Sequence, residues 1–287
     1  MNNFLSNVQL MSHRGGSHEH VENTIAAFRY SANVLDVDIL ELDCHLTKDK
    51  QVVVFHDKNL QRVCGIKNKK ISDYNFDELP KLLLSENLIP NNAVDKNNLD
   101  HVSIPKLQCL FDEFKDKKMH IDIKSGPEEL VLKVGNMIKE YRREHLTIWG
   151  SGVSYWNDMC YKHFGNTIPL CFSLRGVLWA YFLWVIGFFW AYAGNRYQFM
   201  CIPNKPMLMK PEWFKALNKL GIPVVIWGLP NGGVNTIEGF EEVLLSGANG
   251  ICTDRPTLLK EWLKNNKLAD VVENDAAREK VEVVVKE

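Results

Sequence analysis

Eight short apolar runs, at 8–12, 38–43, 119–123, 146–150, 168–173, 198–202, 223–227 and 249–253, recur along the chain. Between them lie segments of helical periodicity at 22–35, 105–116, 128–143, 154–164, 210–220, 236–246 and 256–265. Strand and helix alternating in this way predict a parallel sheet covered by helices. With eight repeats and no obvious linker, the pattern predicts one (β/α)8 TIM barrel over residues 8–267. A doubly wound open sheet is the alternative. The barrel is preferred because four polar clusters sit at the ends of apolar runs: His13-Arg14-Gly15-Gly16, Glu41-Leu42-Asp43, His56-Asp57 and Asp122-Ile123-Lys124. A barrel brings the C-terminal ends of several strands to one mouth, which is where its enzymes build their sites.

Two segments interrupt the repeat. Residues 52–104 contain an extra strand, VVVFHD, followed by long polar stretches, and read as a lid-like insertion after strand two. Residues 177–193, VLWAYFLWVIGFFWAYA, hold 17 residues without a charge, among them three Trp, two Tyr and three Phe. A barrel helix should carry a polar outer face, and this one has none. Its length is at the lower limit for crossing a bilayer, and its aromatic content suits a lipid interface. A full crossing would put the two halves of the barrel on opposite sides of the membrane. The segment is therefore expected to be a re-entrant or surface-dipping helix on the active-site face, with a core helix or a partner interface as alternatives. Arg175, Arg196, Lys205 and Lys210 flank it and could meet lipid headgroups. The charged tail, 268–287, is given no function.

Alternation along strand two places Glu41 and Asp43 on one face, and alternation along the next barrel strand aligns His120, Asp122 and Lys124. Carboxylates held close together need a proton or a cation between them. Hard oxygen donors of this kind suit Mg²⁺ or Ca²⁺. The formal net charge of −1 gives no global attraction for nucleic acid, so binding of an anion must be local. Arg14 offers bidentate hydrogen bonds to a phosphate, with Lys124 as the second cation. His13 and His56 read as a general acid–base pair, and His56 alternatively as a metal ligand. His18 and His20 are expected to face solvent, and His45 to support the metal ligands. GLPNGG at 228–233 lacks the spacing of a phosphate-binding loop and reads as a turn. Seven scattered cysteines without a C-x-x-C pair argue against a disulfide framework and for a reducing compartment. The N-terminus is too short and polar to read as a signal peptide.

The order HRG, E-x-D, HD and D-x-K closely resembles the signature of the glycerophosphodiester phosphodiesterase family, from about Val8 to Lys264. Glu22-Asn23-Thr24 matches that family's ENT, with Val21 where proline is usual, and Thr253-Asp254-Arg255-Pro256 matches its TD-x-P. One departure is Asp122, where the family most often has Glu; the related sphingomyelinase D group has Asp. The resemblance implies that His13 and His56 are the catalytic pair and that Trp227 lies near the substrate. It also implies a metal at Glu41, Asp43 and Asp122, and attack by the substrate's own glycerol hydroxyl to give a cyclic phosphate. Within the family the chain resembles the eukaryotic membrane-associated branch, which acts on lysophospholipids and usually carries a membrane helix ahead of the HRGG strand.

The resulting expectation is a metal-dependent lysophospholipase D, releasing lysophosphatidic acid and a headgroup such as choline or N-acylethanolamine. It would associate with a membrane surface through 177–193, facing the cytosol on an endomembrane such as the endoplasmic reticulum. A soluble enzyme acting on glycerophosphocholine is the first alternative, and a non-catalytic lipid-binding barrel the second. Thr253 or Asp254 is expected to cap the last helix.

Overall fold

A computed structural model describes residues 9–83, 95, 97–124, 126–192, 195–228 and 233–265. The parallel strands are β1 (Gln9–Ser12), β2 (Ile39–Leu46), β4 (Lys118–Ile123), β5 (Thr147–Gly150), β6 (Met200–Pro203), β7 (Val224–Trp227) and β8 (Gly250–Thr253). Their spatial order is β5-β4-β2-β1-β8-β7-β6. The run 168–173 does not form a full strand. It contributes two parallel bridges, Trp149 to Leu170 and Cys171 to Phe199, and these span the gap between β5 and β6. The result is a TIM-barrel-like α/β fold.

Side-chain alternation explains how the barrel fills. On β2, Leu40, Leu42, Cys44 and Leu46 point outward into the layer shared with the helices. Ile39 points inward, joining Met11, Ile148, Cys171, Phe199, Val225 and Cys252 in a separate cluster drawn from around the barrel. That cluster forms the floor. Above it, the same inward face of β2 carries Glu41 and Asp43, so one strand supplies both the apolar plug and the polar mouth.

The helices are α1 (Ile25–Arg29), α2 (Gln61–Cys64), α3 (Leu99–Val102), α4 (Leu107–Glu113), α5 (Glu128–Glu140), α6 (Ser154–Phe164), α7 (Leu174–Val185), α8 (Pro211–Lys219), α9 (Ile237–Leu245) and α10 (Pro256–Asn265). Thr24 caps α1 by accepting from the Ala27 amide. The helix therefore starts later than the periodicity predicted, and the ENT loop stays free to turn back over the mouth.

The extra strand of the 52–104 segment is β3 (Val52–Val54), which runs antiparallel to β2. Beyond it, Phe55, Leu60, Val63, Ile71, Leu82 and Ile104 form a small apolar core of their own. In the 177–193 segment the helix begins earlier than predicted, at Leu174, and ends at Val185; a short 3-10 turn follows at Phe189–Tyr192. Among the described residues, no helix is long and apolar enough to cross a membrane. Ala193 and the tail 268–287 lie outside the described residues.

Candidate active site

The mouth is assembled from strand ends and the loops that follow them. After β1 the backbone enters the left-handed region three times in succession, at Arg14, Gly15 and Gly16 (φ 53°, 80° and 95°). A Cβ at Gly15 would lie 2.8 Å from the Ala27 side chain, so glycine satisfies both the torsion and the close approach of α1. This turn aims the Arg14 amide at Glu41 Oε2, 2.9 Å away.

Register explains how the carboxylates meet. β2 pairs with β4 so that Glu41 lies beside His120 and Asp43 beside Asp122. Lys124 Nζ lies 2.6 Å from Asp122 Oδ2 and 2.9 Å from Asp43 Oδ1. Asp43 is fully buried. It also accepts from Asn23 Nδ2 at 3.0 Å and faces Arg14 Nε at 3.5 Å. An unpaired carboxylate at that depth would cost several kcal/mol. Burial alone would raise its pKa, but Lys124 and Arg14 outweigh burial and hold it below the usual range. Glu41 behaves oppositely: burial and the neighbouring Asp43 charge push it up to about 7.

One donor in this set is open to a hard cation. Asp122 Oδ1 is buried and has no hydrogen-bond partner, and Lys124 already places one positive charge between two of the three carboxylates. Among the described residues, no three acidic, histidine or cysteine side chains are gathered into a ready coordination shell; Asp43 and Asp122 pair with Lys124, and Asp43 also faces Arg14.

Both histidines use the same device. His13 Nδ1 lies 2.5 Å from Asp254 Oδ1, and His56 Nδ1 lies 2.7 Å from Asp57 Oδ1. A carboxylate on Nδ1 fixes the ring and leaves Nε2 as the working nitrogen. At His13, burial works to lower the pKa; Glu41 and Asp254 overcome it, so the pKa is raised. Asp254 is held in turn by Ser17 Oγ at 2.5 Å and Asn235 Nδ2 at 2.8 Å. Asp57 is held by Arg62, which also donates to Glu22.

These contacts overturn the helix-capping expectation for Asp254, whose carboxylate turns into the mouth. Thr253 Oγ1 instead accepts from the Arg255 amide and donates to Asn235. His18 is exposed as expected, whereas His20 packs on Tyr30 at 4.4 Å between ring centroids. His45 Nε2 lies 3.3 Å from the His56 carbonyl, so it steadies the His56 turn. Asp254, Asn235, Asp57, Glu22 and Arg62 had no assigned site role in the sequence reading. Asp57, Glu22 and Asp254 stood inside quoted motifs; Arg62 carried no signal, because Asp57 five residues before it marks no motif with it and Glu22 lies 40 positions away.

A cavity of about 540 Å³ opens here, lined by His13, Arg14, Glu41, His56, Asp122 and Lys124 on one side. Leu174, Val177, Ile202, Pro203 and Trp227 form its apolar wall, and Trp227 also packs against the inner apolar cluster. Lys205 also lines the cavity.

The mouth of this barrel thus gathers two histidine–carboxylate pairs beside the cations Arg14 and Lys124. The model of the glycerophosphoryl diester phosphodiesterase family matches residues 13–167. Lysophospholipase D GDPD1 of Rattus norvegicus is 37% identical over 279 residues, covering 89% of this chain and 86% of the relative. Lysophospholipase D GDPD3 of Homo sapiens is 31% identical over 284 residues, covering 90% and 86% respectively. The crystal structure of glycerophosphodiester phosphodiesterase from Thermotoga maritima has the same fold, with a TM-score of 0.64, 24% identity and coverage of 88% and 97%. The chain belongs to the glycerophosphoryl diester phosphodiesterase family, and is a phosphoric diester hydrolase.

Proposed function

We propose that the chain is a metal-dependent lysophospholipase D, cleaving the headgroup ester of a lysophospholipid to leave lysophosphatidic acid. The observation that carries this reading is α7. Leu174 and Val177 reach the catalytic cavity. Along the helix, Val177, Ala180, Tyr181 and Trp184 face the protein, with Tyr181 5.0 Å from Trp213 between ring centroids. Leu174, Leu178, Trp179, Phe182 and Val185 form the exposed face, continued by Ile186, Phe188 and Trp190. Trp179 is 55% exposed and Trp190 72%. An apolar surface of this kind marks an interaction site. Next to a diester-cleaving mouth, it suits a substrate whose acyl chain lies in a lipid surface. The proposed setting is the cytosolic face of an endomembrane such as the endoplasmic reticulum; the seven cysteines, all free, suit a reducing compartment.

In this reading Arg14 and Lys124 hold the non-bridging oxygens. His13 and His56 share the two proton transfers. One takes the proton of the substrate's glycerol hydroxyl as its oxygen attacks phosphorus; the other gives a proton to the departing headgroup oxygen. Water then opens the cyclic phosphate, with the histidine roles exchanged. Glu41, Asp43 and Asp122 would hold Mg²⁺ or Ca²⁺, with His56 the alternative fourth ligand, and the ion supplies positive charge to the phosphoryl group. The charges balance in that arrangement: three carboxylates against Arg14 and Lys124 leave one negative charge, which a divalent ion converts to one positive charge facing a phosphodiester monoanion.

The test is choline release from lysophosphatidylcholine in mixed micelles and from glycerophosphocholine, with EDTA and after restoring metal. Metal-dependent release favouring the lipid is the expected result. Turnover of the soluble diester alone would assign the chain to water-soluble glycerophosphodiesters. No turnover of either by folded, metal-loaded protein would favour a lipid-binding barrel.

A further inference from the structure

Arg62 on α2 lies outside every motif of the sequence reading, yet it makes four short charge-assisted contacts. Its Nε and Nη2 donate to Asp57 at 2.8 and 2.9 Å, and its Nη1 and Nη2 donate to Glu22 at 2.6 and 2.7 Å. Each carboxylate has a second partner at the mouth. Asp57 Oδ1 holds His56 Nδ1 at 2.7 Å, and Glu22 Oε1 accepts from Arg14 Nη1 at 3.3 Å. One guanidinium therefore joins a proton-transfer group to a phosphate-holding group, through two carboxylates contributed by loops 35 positions apart in sequence (22 and 57).

We infer that Arg62 is a positioning residue that sets the ring of His56 and keeps Arg14 available for the substrate phosphate. The second role follows from competition for Glu22. That carboxylate is buried and must be paired. Arg62 satisfies it with two short bonds, leaving only one long contact to Arg14. Without Arg62, the other cation in contact with Glu22 among the described residues is Arg14, which Glu22 then draws away from the cavity. The planar fork is essential, since an ammonium cannot pair two carboxylates bidentately. Arg62 is held in place because its neighbours Leu60, Val63 and Cys64 are buried in the small apolar core of the 52–104 segment. That segment thus supplies one half of the active-site scaffold.

The inference rests on the mouth assignment proposed above, and its test separates the two. Headgroup release would be measured for the full chain and for Arg62→Met, Arg62→Lys, Glu22→Gln and the Arg62→Met/Glu22→Gln double variant. Lysophosphatidylcholine and glycerophosphocholine both serve as substrates, with rates expressed per folded molecule. Arg62→Met should lower kcat by about 10–100-fold and raise KM. Adding Glu22→Gln should restore KM, because Arg14 is released, while kcat stays low because His56 remains unheld. Arg62→Lys should recover part of the KM effect and little of kcat. Unchanged kcat and KM in both Arg62→Met and Arg62→Lys, with His56→Ala inactive, would make Arg62 a surface ion pair and overturn the inference. A KM that Glu22→Gln fails to restore would overturn the Arg14 half. Full activity in His56→Ala would instead bring down the mouth assignment itself.

Discussion

Around Glu41, Asp43 and Asp122 charge is answered by charge: Lys124 bridges two of the carboxylates, Arg14 faces Asp43, and each histidine has its own aspartate. The outer face of α7, beside the same cavity, is built the other way. Leu178, Trp179, Phe182 and Val185 stand half-exposed, and Trp179 and Phe182 stack on each other 5.5 Å apart between centroids. Burying charges without partners costs several kcal/mol, so the mouth has to be closely organised. Exposed apolar surface costs about 25 cal/mol per Å² until something covers it, so the α7 face calls for a lipid or protein surface. Under the proposed function the contrast separates chemistry from recognition within one rim, and each half can be perturbed alone.

The largest effect should come from the mouth. His13→Ala and His56→Ala should each lower turnover by about 10²–10⁴-fold on lipid and soluble diesters alike, measured by headgroup release. A loss confined to the lipid would mean these histidines act in recognition. Chelation should abolish turnover, and Asp122→Asn should raise the Mg²⁺ or Ca²⁺ concentration needed for half-maximal rate, as read from metal titrations. Unchanged metal dependence in Asp122→Asn would remove it from the ligand set.

Asp254→Asn comes next, with about a 10–100-fold loss of kcat as His13 loses its orienting carboxylate. It also carries a signature in pH. Burial would raise the Asp254 pKa, but hydrogen bonds from His13, Ser17 and Asn235 hold it below the usual carboxylate range. Its stabilisation is therefore fully present above the unfolded value of about 4 and is lost as pH falls through the lower folded value. Denaturant midpoints of wild type and Asp254→Asn should differ near neutrality and converge in acid. A constant gap would contradict this.

The smallest effect on chemistry, and the most selective, should come from α7. Phe182→Asp should leave glycerophosphocholine turnover unchanged while weakening turnover of lysophosphatidylcholine in vesicles. Equal losses on both would make α7 a structural helix only.

What could be read in the sequence followed the same division. Glu41, Asp43, Asp122 and Lys124 were legible because strand alternation puts every second residue on one face, and those spacings are local. The partners that aim the histidines were less so. Asp254 is 241 positions from His13, and Arg62 reaches Glu22 across 40, so only the closed barrel and its folded excursion bring them together. Asp254 also stood before a helix-starting proline, which made a capping role the natural local reading; folding gave the carboxylate a better donor in His13. The run 168–173 was apolar enough to predict a strand, yet it makes only two bridges, because the chain leaves it directly for the Ser173 cap of α7.

In the proposed function the charged mouth and the apolar rim act on one lipid substrate. The most direct measurement is the ratio of lysophosphatidylcholine to glycerophosphocholine turnover, in vesicles with metal supplied, for wild type and Phe182→Asp. The expected ratio is well above one in the wild type and collapses in the variant while the soluble rate is unmoved. A ratio that Phe182→Asp leaves unchanged would contradict it.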